Sequence, residues 1–278
     1  MKYVVSMEWL KEHLDDPDVL IFDCRFTLGQ PDLGYTLYQQ EHIPGAQYID
    51  VEKDLSDLHK KTGSRHPLPD PQKLADLLGR RGVNEKRIVV AYDDQFGAMA
   101  GRFWWLLTYL GHPHARVLNG TFHEWKEKGF PVTDQIIQPA PCLFKTDLQN
   151  QLLASMAEVK SKLDDPGTLL IDSREEKRYL GLEEPIDPIA GHIPGAKNYF
   201  YQSVWSQGRW KNRSSLQKHF QALDPSREII VYCGSGITAT PNFLALKEAG
   251  FQKVELYAGS WSEWISDRDN PVETGSSQ

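Results

Sequence analysis

The feature that most restricts this chain is that it is written twice. Leu14 to Arg25 reads LDDPDVLIFDCR, and Leu163 to Arg174, 149 residues later, reads LDDPGTLLIDSR. EHIPGAQYI from Glu41 returns as GHIPGAKNY from Gly191, and GHPHARVLNGTFHEW from Gly111 returns as GFQKVELYAGSWSEW from Gly250. The landmarks keep their order at a spacing of 139 to 150 residues. A period of that size is a whole domain, so the pattern is a duplicated domain and not a solenoid.

Each copy alternates strand and helix. VLIFDCR and RIVVAYD are short apolar runs that stop at polar residues, as buried parallel strands do. PQKLADLLGRRGV and AMAGRFWWLLTYLG carry apolar residues at helical spacing and end at glycine. TLLIDSR, EIIVYC and PNFLALKEAG repeat the scheme in the second copy. The expected fold is therefore α/β, two tandem domains, each a parallel sheet flanked by helices, with functional residues at the carboxyl ends of the strands. The expected domains are 1–132 and 148–278. They are joined by a linker over 133–147, a proline-containing stretch without periodicity in which Cys142 has no expected chemical role.

The partner classes are narrowed by charge. A net charge of −7 argues against nucleic acid or an anionic membrane as the main partner. No apolar run approaches the roughly 20 residues that span a bilayer, and MKYVVSMEWLKEHLDD turns acidic too early for a signal peptide. Three scattered cysteines do not make a disulfide framework. The expected location is the reducing cytoplasm.

One stretch calls for chemistry. Cys233 ends the run EIIVY and opens YCGSGITAT, just before a helix that starts near Thr240 and Pro241. Gly234, Ser235, Gly236, Ile237 and Thr238 can curl so that successive backbone N–H groups face the sulfur, with glycine allowing positive φ. The positive end of the helix adds to this, and both favour a thiolate nucleophile. Aligning the copies places Asp93 opposite Cys233, so the first domain is expected to be catalytically inactive. His42 and His192 occur in both copies and are expected to be fold determinants. The pairs Asp23–Arg25 and Asp172–Arg174 are expected to be strand-end braces. Among the tryptophans, Trp261 is a candidate for the rim of the loop.

HIPGA in both halves, DSR followed by RY, the CGSGITA loop and the closing GSWSEW together resemble the tandem rhodanese family of sulfurtransferases over essentially the whole chain. The resemblance implies that Cys233 takes a sulfane sulfur from thiosulfate or 3-mercaptopyruvate as a persulfide. It would pass that sulfur to cyanide, a thiol or a thioredoxin-like acceptor, with no metal or organic cofactor. The Cys-Gly-Ser-Gly loop is similar to that of the mercaptopyruvate enzymes, which implies for Ser235 the role of a hydroxyl relay or of a hydrogen-bond donor to the donor's thiol or carbonyl. Those enzymes hold the donor carboxylate with two arginines. Arg178 matches the first, while LEEPIDPIAGH contains no second, which leaves thiosulfate open. The alternative for Arg178 is a surface ion pair with Glu175 or Glu176. His66 matches a histidine that the family brings from the first domain to the cleft, and Glu52 falls near the position of an acidic partner. A monomer is expected. Two other readings compete with the enzyme. A non-enzymatic carrier or protein-binding module would be marked by loss of the cysteine, which is present. A cysteine phosphatase would need an arginine where Ala239 or Thr240 stands.

Overall fold

The structure, a computed structural model, describes residues 1–276. The chain divides into two compact units. The first comprises Met1–Asp57, Leu68–Gln149 and Trp205–Trp210; the second comprises Leu58–Pro67, Asn150–Val204 and Lys211–Gln278. The expected boundaries follow chain order, but each unit also takes a short segment from the other half of the sequence. Residues 133–147, expected as a linker, belong to the first unit. There the Cys142 N–H donates to the Gly79 carbonyl at 2.9 Å.

The first unit is built on strands β1 (Val4–Val5), β2 (Val19–Asp23), β3 (Ala46–Tyr48), β4 (Ile88–Tyr92) and β5 (Ala115–Leu118). They lie parallel in the order β1-β5-β4-β2-β3. The second unit repeats this with β6 (Leu153–Ala154), β7 (Thr168–Asp172), β8 (Lys197–Asn198), β11 (Glu228–Tyr232) and β12 (Val254–Tyr257), in the order β6-β12-β11-β7-β8. The hairpin β9 (Trp205–Ser206) and β10 (Arg209–Trp210) intervenes in the sequence but belongs to the first unit. The register repeats as well. Val19 to Asp23 pair with Ile88 to Tyr92, and Thr168 to Asp172 pair with Glu228 to Tyr232.

The central strands are buried because helices cover both faces, which is why they read as continuous apolar runs. Ala98–Tyr109 packs Phe103, Trp104 and Trp105 almost completely out of solvent, and Thr240–Ala249 is buried at nine of its ten positions. Gly250, at φ 110°, ends the second of these helices in the left-handed conformation that glycine adopts readily.

The repeated motifs do the same work in both units. Arg25 donates from Nε and Nη2 to Asp23, and Tyr92 Oη donates to the same carboxylate at 2.8 Å. Arg174 holds Asp172 in the same way and reaches the Gly191 carbonyl at 2.6 Å. Burial would push the Arg174 guanidinium down, but Asp172 beside it holds it above its ordinary value. His42 and His192 are fully buried; each Nδ1 lies 2.7 Å from a backbone carbonyl, of Tyr38 and Tyr179 respectively, and each ring stacks on that tyrosine. These groups fix the turns after the strands.

Candidate active site

The site lies in the second unit, at the carboxyl end of β11. Cys233 is the first residue past the strand and is 1% exposed. The Gly236 N–H points at its sulfur at 3.2 Å. Gly236 sits at φ 77°, and a Cβ there would lie 2.3 Å from the Ala258 carbonyl oxygen, so the turn requires glycine on both counts. The loop runs through Ile237 and the half-buried Thr238 into the helix Thr240–Ala249, whose N-cap position, Ala239, provides no side-chain acceptor. The Thr240 hydroxyl donates to the Ile237 carbonyl at 2.8 Å, and Pro241 fits the first turn.

A second loop holds the first from behind. The Cys233 N–H donates to Ser260 Oγ at 3.1 Å, while that hydroxyl donates to the Tyr257 carbonyl at 2.8 Å. Ser260 adopts φ 56°, a conformation costing a non-glycine residue about 1–2 kcal/mol, and these two bonds hold it there. The N–H groups of Trp261 and Ser262 donate to the carbonyls of Cys233 and Gly234, both at 3.0 Å. GSWSEW is therefore the strap of the nucleophile loop. Trp261 is not at a rim. It is fully buried, donates from Nε1 to the Ile189 carbonyl and lies under the Arg174 guanidinium at 4.7 Å.

The segment 58–67 brings polar groups to this loop. His66 Nδ1 is 2.7 Å from Ser235 Oγ, and both residues are buried. The neighbouring Arg65 was not singled out by the sequence, yet its guanidinium lies against Gly234 of the loop. A Cβ on Gly234 would be 2.6 Å from Arg65 Nη2 and 3.6 Å from Arg178 Nη2. Gly234 thus leaves room for the Arg65 guanidinium against the loop backbone, and Arg178 lies within van der Waals reach of the same point. Arg65 is fixed at its own N–H, which donates to Ser262 Oγ at 3.1 Å.

Arg178 does not pair with Glu175 or Glu176. Its Nε and Nη2 donate to Glu184, and Nη2 reaches Asp187 at 3.0 Å. Asp187 also takes a two-pronged contact from Arg65, Nε at 2.9 Å and Nη2 at 3.2 Å. The stretch that carries no second arginine therefore holds a carboxylate between two arginines, and the second cation arrives from 122 residues earlier in the chain. Burial would raise the Glu184 carboxyl, but the hydrogen bond from Arg178, aided by the Asp187 and Ile186 amides, holds it below the usual range. Glu52 belongs to the first unit, where its N–H donates to Asp50 Oδ1 at 2.8 Å and burial raises its carboxyl.

The first unit provides an internal control for the loop. Asp93 follows β4 as Cys233 follows β11. Its carboxylate accepts N–H groups from Gln95, Gly97, Met99 and Ala100 at 2.8–3.0 Å. A loop of this design gathers backbone donors around an anion, and here the anion is the protein's own side chain. Over it lies the β9–β10 hairpin, with a Cβ on Gly97 meeting the Trp210 ring at 2.5 Å. The corresponding cover in the second unit presents Arg65 and His66.

The arrangement presents a buried cysteine sulfur that meets a backbone N–H, with two guanidiniums beside the same loop. Among the described residues no helix is long and apolar enough to cross a membrane. A family model described as "Rhodanese-like domain" matches residues 6–128 and again 155–267. Over 278 residues the chain is 43% identical to a probable 3-mercaptopyruvate sulfurtransferase of Pseudomonas aeruginosa, covering 98% of each. It is 34% identical to the thiosulfate sulfurtransferase of Cricetulus griseus, covering 99% of this chain and 95% of the relative. The crystal structure of a 3-mercaptopyruvate sulfotransferase from Escherichia coli superposes with a TM-score of 0.83 at 30% identity, over 94% of this chain and 99% of that one.

Proposed function

Since the chain belongs to the rhodanese family, as a tandem-domain sulfurtransferase, we propose that it moves a sulfane sulfur through a persulfide on Cys233. The observation that carries this reading is the Gly236 N–H aimed at the Cys233 sulfur in a loop flanked by two guanidiniums.

The donor is a small anion met by the guanidinium Nη groups of Arg65 and Arg178 that lie beside Gly234, their Nε–Nη2 edges being held by Asp187 and Glu184. Thiolate Cys233 attacks the donor's outer sulfur. With thiosulfate, the donor's S–S bond breaks and sulfite leaves with the electron pair. With 3-mercaptopyruvate, the C–S bond breaks and the enolate of pyruvate leaves, then takes up a proton. Ser235 relays that proton; its hydroxyl, 2.7 Å from His66 Nδ1, supports this role. The loop amides stabilise charge on sulfur in both half-reactions. An acceptor, cyanide or a thiol, then removes the outer sulfur and restores the thiolate, as in ping-pong covalent catalysis. A thioredoxin-like protein is an acceptor of the same chemistry. Three free cysteines fit a reducing compartment such as the cytoplasm. Two guanidiniums at the loop favour 3-mercaptopyruvate as the donor.

The test is steady-state turnover with each donor and cyanide as acceptor, beside a Cys233→Ser control. Thiocyanate formation by the wild type alone is the expected result. Formation by the serine variant, or by neither protein, removes the proposal.

A further inference from the structure

We propose that Asp187 is a donor-selecting residue: its carboxylate occupies the two-arginine clamp and tilts the protein away from dianionic donors towards monoanionic ones. The inference rests on the donor site proposed above. Asp187 is 2% exposed at its side chain and bridges Arg65 and Arg178 at 2.9 and 3.0 Å. It takes Nε and Nη2 of Arg65, the edge of a guanidinium that best fits a planar carboxylate. The remaining ion pairs complete the balance. Arg178 also meets Glu184, and Arg174 meets Asp172 and Glu184. Three cations, Arg65, Arg174 and Arg178, thus face three anions, Asp172, Glu184 and Asp187, and the cluster carries no net charge.

A clamp meant to attract charge as such would not be neutralised by its own chain. What remains at Arg65 and Arg178 is direction: donor groups at fixed positions beside Gly234. A donor that gains mainly from hydrogen-bond geometry is served by such a site. One that depends on net positive charge is not. Thiosulfate carries two charges and 3-mercaptopyruvate, at neutral pH, mainly the one on its carboxylate. The repulsion between Asp187 and a donor is linear in the donor's charge. Whatever factor removing the Asp187 charge contributes to binding a monoanion, it contributes roughly the square of that factor for a dianion. The donor ratio therefore reads the charge of Asp187 and cancels losses shared by both donors.

The experiment measures kcat and KM for both donors, with cyanide, in the wild type, Asp187→Asn and Asp187→Glu. The expected result is a rise of about tenfold in the thiosulfate-to-mercaptopyruvate ratio of kcat/KM for Asp187→Asn, carried mainly by a lower KM for thiosulfate. Asp187→Glu, which keeps the charge, stays within about threefold of the wild-type ratio. If both donors lose in equal proportion in Asp187→Asn, or both variants shift the ratio alike, Asp187 is only a brace and the inference is overturned. A second measurement needs no variant: pyruvate must inhibit the wild type at lower concentration than sulfate does, and the reverse order overturns the inference. Wild-type protein that turns over neither donor removes the functional proposal itself, and this inference with it.

Discussion

Replacing Arg65 by alanine tests whether a residue so far from Cys233 in sequence belongs to the site. The guanidinium is the group nearest to the place a Cβ on Gly234 would take, at 2.6 Å, so a donor bound against the loop meets it directly. Losing one charge-assisted hydrogen bond to an anion costs about 1.5–3 kcal/mol, which corresponds to a fall of roughly 10- to 150-fold in kcat/KM. The upper part of that range is expected, because Asp187 would then face the donor with one arginine to screen it instead of two. Stability should fall modestly. Asp187, 2% exposed at its side chain, loses one of its two arginines and keeps Arg178, a cost of about 1–2 kcal/mol or roughly 2–8 °C in Tm. The Arg65 N–H to Ser262 survives the substitution. The assay is thiocyanate formation with 3-mercaptopyruvate over a range wide enough to separate KM from kcat, beside a thermal melt. A contact made with the donor both before and during attack raises KM more than it lowers kcat. Arg65→Lys should recover part of the loss, since it restores the charge without the fork. A kcat/KM for Arg65→Ala within threefold of wild type, with an unchanged melt, would refute the reasoning.

Three further outcomes are expected. Ser235→Ala should slow turnover with 3-mercaptopyruvate about tenfold more than turnover with thiosulfate, because a leaving enolate needs a proton and leaving sulfite does not; parallel rate measurements with the two donors decide this. Asp93→Asn should destabilise the protein by about 2–4 kcal/mol, because the amide nitrogen would face the Met99 and Ala100 N–H groups that now meet a carboxylate oxygen; denaturant unfolding measures it. Burial lowers His112 from 6.5 to about 4, so the unfolded chain takes up its proton first. The contribution of neutral His112 is complete above pH 6.5 and is lost as pH falls towards 4. By pH 5 the loss is about 2 kcal/mol, and His112→Gln should flatten that part of a stability-against-pH curve.

The features that were legible in the sequence are local or periodic. A strand run ending in Asp-Ser-Arg carries its own brace two residues apart, and Cys233 to Thr240 compresses strand end, nucleophile loop and helix start into eight positions. The duplication let one half serve as a control for the other, and Asp93 in its nest of N–H groups shows the same loop used for structure. Arg65 and Asp187 escaped for the opposite reason. Their bond joins residues 122 apart, and nothing in the spacing of either segment announces the other. The repeat could not expose them, because the corresponding hairpin of the second half carries Trp205 and Trp210. A signal was present all the same. Arg65 adjoins His66, and a cation beside a histidine already placed at an anion site merits the same question. Trp261 was misplaced because sequence proximity to the loop says nothing about which face of the strap turns inward.

The exchanged segments fix how this molecule can be divided. A gene fragment beginning at residue 150 encodes the nucleophile, its loop and the strap, but neither Arg65 nor His66. A fragment ending at residue 149 encodes the Asp93 loop without the tryptophans that cover it. Cutting at the obvious seam therefore yields two incomplete polypeptides and not one working half and one spare. The first half of the chain cannot be deleted without cost to the second unit, because ten of its residues, Leu58 to Pro67, belong to the unit that holds Cys233.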